Sequence, residues 1–113
     1  MKTDAKIARE LLEGARKRVA GHYAFPICGA IAFVLQDMKN PLARPVAVAL
    51  SYWIADMLKG RLFYTGWVYA NHYELYNAAV KRGDFDACVR RGRLAWIDWM
   101  LEQDLAAVVR KYK

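Results

Sequence analysis

Apolar residues recur every three or four positions through each long segment of this chain, and that period admits helices and little else. Ile7, Leu11, Leu12, Ala15 and Val19 mark the first such stripe, and Ile27, Ile31, Val34 or Leu35, and Met38 the second. Ala49, Trp53, Ile54, Met57 and Leu58 form a third. No segment shows the strict alternation of a half-buried strand. The run 46–50 would pass for a strand in isolation, but Pro45 at its start and the continuation to Leu58 favour a helix.

Local punctuation sets the boundaries. Thr3 is a good N-cap, because its hydroxyl can accept from an orphan amide of the first turn, and it predicts a helix over about 4–19 with Gly21 as its stop. Pro26 and Pro45 suit first-turn positions, since their fixed φ is already helical, and predict the starts of the second and third helices. Asn40-Pro41 lies in a connector, and Lys59-Gly60-Arg61 ends the third helix. A fourth helix is predicted over about 66–81, with Tyr69, Tyr73 and Tyr76 at i, i+4 and i+7 beside His72.

Asp84 is placed to cap a last helix running from about 85 to 110, the longest of all. At about 100° per residue, Cys88, Gly92, Trp96, Trp99 and Ala106 fall on one side. Leu94, Ile97, Leu101, Leu105 and Val108 fall nearly opposite. A helix apolar on two sides must be covered on two sides, so it should run through the middle of a bundle or lie at a subunit contact. The expected fold is all-α: one domain over 1–113, a compact bundle of about five helices with a long C-terminal helix. The second option predicts a homo-oligomer.

Hydrophobic residues make up 57% of the 113 positions. That exceeds the roughly 45–50% usual in soluble domains, so the surplus needs a dense core, an interface or a membrane. The apolar stretches 25–35 and 46–58 are short of the ~20 residues that span a bilayer. Residues 1–18 carry charge throughout and lack the apolar region of a signal peptide. These features predict no membrane association and a cytoplasmic location. Cys28 and Cys88 each lie inside an apolar stretch, outside any paired-cysteine motif, and read as buried free thiols in a reducing compartment.

The search for catalysis returns absences. There is no glycine-rich phosphate loop, no paired-histidine metal motif and no nucleophile elbow. His22 and His72 have no convincing i+3 or i+4 metal-binding partner, so no metal or cofactor is expected. A nucleophile built from Cys28 and a histidine is disfavoured, because a thiolate on an apolar face is poorly solvated. The chain therefore reads as a binding protein, not an enzyme.

Its charge points to the ligand. Eighteen Lys and Arg against eleven Asp and Glu give +7, a balance suited to an anionic partner. Arg90, Arg91 and Arg93 cluster near the start of the last helix, where cations oppose the helix dipole and so suggest use. Arg61 and Arg82 stand in flanking loops. Arginine forks bind phosphate oxygens bidentately, and Tyr69, Tyr73 and Tyr76 offer π-faces on which a base can stack. Together these eight residues are the expected site for a nucleotide or nucleic acid. The bland alternative is a solvated basic surface around a tyrosine core. The competing function is a protein-directed inhibitor that uses the apolar surplus as its contact.

The run Phe25-Pro26-Ile27-Cys28-Gly29-Ala30-Ile31 resembles a segment of small bacteriophage-encoded proteins. So does the pairing of Trp67-Val68 and Asn71-His72 with Arg93-Leu94-Ala95-Trp96-Ile97-Asp98-Trp99. The resemblance implies host takeover or anti-defence, in which such proteins sequester a signal molecule or block a host defence protein inside the host cell. It transfers no site residue.

Overall fold

The computed structural model describes residues 3–21, 26–59, 81 and 85–113, with the side chains of 58–59 and 85–89 outside that description. Every element described is helical: α1 Asp4–Gly21, α2 Ile27–Met38, α3 Ala43–Lys59, α4 Phe85–Leu101 and α5 Leu105–Tyr112. No helix among these residues is long and apolar enough to cross a membrane. The expected helix over 66–81 lies outside the described residues except for Lys81.

Local chemistry accounts for the helix starts. Thr3 Oγ1 accepts from the Lys6 amide at 3.2 Å, as its side chain predicts. Pro26 is the cap residue itself, with extended backbone, so α2 begins one residue later than a first-turn proline would place it. α3 begins at Ala43, two residues ahead of Pro45, whose missing N–H falls in the first turn where no intrahelical partner exists. The Asn40 side chain makes that earlier start possible by accepting from the Leu42 amide at 3.0 Å. Between the two helices Lys39 takes the left-handed conformation, φ 50 and ψ 37, which closes α2 without a glycine.

The long C-terminal helix is not what forms. α4 ends at Leu101 and α5 begins at Leu105. Asp104 Oδ1 accepts from the Ala107 amide at 3.1 Å, capping the new helix. Gln103 donates to the Trp99 carbonyl, and Arg9 on α1 donates to the Leu101 carbonyl at 3.1 Å, so carbonyls exposed by the break are satisfied. The physical reason is burial. A straight helix would carry Leu105 and Val109 past the end of the core, whereas the break returns both to it, fully or nearly fully buried.

The central helix is α1, not the last. Among the described residues it touches each of the other four helices, while α3 packs on α2 and α5. Its stripe of Ile7, Ala8, Leu11, Leu12, Ala15 and Val19 is completely buried, joined by Ile31, Leu50, Ile54, Trp96, Ile97 and Met100. The Leu94–Val108 face expected on a single long helix is thus covered within the chain: Ile97 and Leu105 are core, and Leu94, Leu101 and Val108 pack against it.

The approach of α1 to α2 depends on Gly14. A Cβ there would lie 2.8 Å from Cγ1 of Val34 and 2.9 Å from Cγ2. Valine is confined to one rotamer in a helix, so neither methyl can swing clear. Gly14→Ala gains about 1 kcal/mol of helix propensity but overpacks the contact by about 1–3 kcal/mol. The expected net result in denaturant unfolding is destabilisation by up to about 2 kcal/mol, turning neutral or stabilising in a Val34→Ala background. Equal effects in both backgrounds would show that the helices do not meet there.

Surface pairs brace the bundle. Arg16 grips Asp98 on α4 with two bonds, 2.6 and 3.2 Å, and Arg18 reaches Asp37 at the end of α2. Lys113 meets Asp4 at 3.0 Å. Tyr112 donates its hydroxyl to Asp56 at 2.6 Å, which favours the protonated phenol and raises its pKa. The three ion pairs are largely half-exposed, so each contributes at most about 1 kcal/mol.

Candidate functional site

Three of the eight expected site residues are described: Arg90, Arg91 and Arg93, all on α4. Arg61, Tyr69, Tyr73, Tyr76 and Arg82 lie outside the described residues. Arg90 is half-buried, in line with Leu94 and Ile97 at the spacing of one helix face, and Arg91 is exposed on the neighbouring face. Arg93, also half-buried, is engaged within the chain.

Among the described residues the cations that bridge helices are matched by acids, whereas Arg90 and Arg91, like Arg44 and Arg110, are not. Arg9, Arg16, Arg18 and Lys113 are each matched to Glu13, Asp98, Asp37 and Asp4. Asp56 serves Tyr112, and Asp104 is spent as a helix cap. Asp98, on α4 itself, faces Arg16 on α1. Among the described residues no carboxylate pairs with Arg90 or Arg91. The Nε of Arg90 is also withdrawn from solvent with no hydrogen-bond acceptor.

A concave feature elsewhere on the bundle was not anticipated. α2 and α3 form an open groove of about 480 Å³. Ile31 and Ala47 form buried parts of its wall, and Val48 (45% exposed) and Tyr52 (60% exposed) its rim. Arg44 stands at one end. The sequence signal was present: Arg44, Val48 and Tyr52 follow at i, i+4 and i+8 beside the buried Ala49 and Trp53, so they belong to a different face.

Cys28 lines the same cavity, which corrects its reading as a buried thiol. The residue is exposed, because Ile27, Ala30 and Ile31 carry the buried face of α2. The groove walls still crowd its sulfur. That burial pushes the thiol above its ordinary pKa, and a hydrogen bond with Ser51 offsets part of the rise. The same hydroxyl proton can instead go to the Ala47 carbonyl, 3.1 Å from Ser51 Oγ. The side chain of Cys88 lies outside the described residues.

Among the described residues no three His, Cys, Asp or Glu side chains gather in a way that could hold a metal ion. No family model, curated protein or solved structure matches the chain.

Proposed function

We propose that this chain is a non-enzymatic binding protein that engages an anionic partner, a nucleotide signal or a nucleic acid, through the arginines at the start of α4. The observation that carries the reading is the adjacent pair Arg90 and Arg91, which among the described residues have no carboxylate partner, unlike the cations that bridge helices. The net charge of +7 supports it by drawing anions to the surface. Arg61 and Arg82 would add charge, and Tyr69, Tyr73 or Tyr76 a stacking face. The resemblance to small bacteriophage proteins supplies the setting, sequestration of a signal or a strand during host takeover in the host cytoplasm.

A second reading, a protein-directed inhibitor of a host defence protein, draws on the exposed Phe33, Leu42, Val48 and Tyr52, at 45–60% exposure. Exposed apolar side chains of this size are typical of protein contacts when they cluster.

Titration at two salt concentrations separates the cases. Single-stranded oligonucleotide should bind with an affinity that falls steeply with salt, because counterions are released as phosphates are neutralised. A cyclic dinucleotide held in a site should show a shallower response and a defined stoichiometry, readable by native mass spectrometry. Micromolar binding by neither class would reject the anionic-partner reading in favour of the protein-directed one.

A further inference from the structure

We propose that the groove between α2 and α3 is a binding site for a free aliphatic carboxylate, an acyl chain lying along the helices with its head group at Arg44. The site is separate from the α4 arginines and does not depend on them. Its shape comes from two ridges of α3. Arg44, Val48 and Tyr52 repeat every four residues along one, and Ala47, Ser51 and Ala55 along the other. The second ridge is small throughout, which opens the floor. Ile31 and Leu35 on α2 form the facing wall. From Arg44 to Ala55 the groove runs about 16 Å, at about 1.5 Å per residue. The volume of about 480 Å³ is that of a small-molecule site.

Charge selects the ligand class. Arg44 is exposed and, among the described residues, pairs with no carboxylate, unlike Arg9, Arg16 and Arg18. Among the described residues it is the one charged side chain lining the cavity, and the other lining residues are aliphatic or aromatic apart from Cys28 and Ser51. A polyanion would meet a single cation and an apolar wall, and a neutral hydrocarbon would leave the cation unused. One carboxylate on an aliphatic chain satisfies both, with a charge-assisted bidentate bond at the head and cover for Val48 and Tyr52 along the tail.

The test uses the full chain carrying Cys88→Ser, so that Cys28 is the sole thiol and reports on the groove. Calorimetry with monomeric dodecanoate should show one molecule per chain. Affinity should rise roughly fourfold for each methylene from octanoate to dodecanoate. Arg44→Ala should weaken dodecanoate ten- to a hundredfold and leave dodecanol unchanged. Dodecanoate should also slow alkylation of Cys28 by iodoacetamide at alkaline pH, with a Cys28→Ser chain setting the background and circular dichroism confirming the fold of each variant. Four results would overturn the proposal. They are no saturable binding, equal loss of dodecanoate and dodecanol in Arg44→Ala, binding that leaves Cys28 as reactive as before, and a Cys28 already inert without ligand, which would mean the folded chain covers the groove itself. Binding only to phosphatidylglycerol vesicles, and not to monomeric dodecanoate, would also reject it.

Discussion

Trp96→Ala is expected to destabilise the protein by about 3–5 kcal/mol, the range found when a buried aromatic is cut to a methyl group. Trp96 is the largest completely buried side chain described, and its indole N–H donates to Met57 Sδ at 3.4 Å. Removing it leaves a large cavity in the core and the Met57 contact unmade, with Ile97 and Met100 still holding α4 to the core. A domain of this size has about 5–15 kcal/mol in total, so the variant should unfold at markedly lower denaturant and at a Tm lower by about 10 °C or more. Trp99 provides the contrast. It is 41% exposed, and its ring lies 5.9 Å from that of Trp53, tilted 37°. Trp99→Ala forfeits partial burial and an aromatic pair worth about 0.5–1.5 kcal/mol. Acrylamide quenching checks the assignment independently: Trp99→Ala should remove readily quenched fluorescence and Trp96→Ala shielded fluorescence. Equal destabilisation by the two changes would mean that α4 is rotated from the position described.

The second large effect is on binding. Charge reversal of Arg90 and Arg91 together, each to Glu, should lower affinity for an oligonucleotide at least about a hundredfold at low salt. Each charge-assisted contact contributes about 1.5–3 kcal/mol, and every 1.4 kcal/mol is tenfold. The slope of log affinity against log salt should also shrink by about 0.7 for each phosphate of the single strand that an arginine no longer neutralises. Arg91 is exposed and neither side chain forms an ion pair with a described residue, so a loss of stability would come from the half-buried Arg90 and is checked by circular dichroism of each single variant. Arg110→Glu on α5 is the control. It removes a comparable exposed charge from another helix and should cost only the small long-range part that screening leaves. If Arg110→Glu, made singly, costs as much as either single reversal at Arg90 or Arg91, the binding is a property of net charge and the α4 site does not exist.

Much of the fold was legible because it is written in short-range chemistry. Helical periods over 4–19, 27–38 and 43–59, the Thr3 cap, and the turn at Asn40 all depend on residues within four positions of one another. The signal for the break at 102–104 was equally local. Three consecutive polar residues ending in a capping Asp interrupt the apolar pattern, but a period followed over 85–110 reads straight across them. The arginines of α4 were legible as a cluster, while the acids that neutralise other cations were not. Asp98 looks like an ordinary neighbour of Arg93 in sequence and is claimed by Arg16, 82 positions away.

By itself, then, the sequence determined that this chain folds as helices, where most of them start, which stripe of α1 is apolar, and that the molecule carries excess positive charge. Those properties follow from backbone sterics, capping and composition, none of which needs a partner element. Tertiary structure alone decided which helix is central, that Trp96 is buried while Trp99 reaches solvent, and that Cys28 opens onto a groove. It also decided which cations are left unmatched. A helical pattern specifies an apolar face, but only the neighbouring helices specify what covers it, and an ion pair forms wherever packing brings two charges within reach, however far apart they lie along the chain.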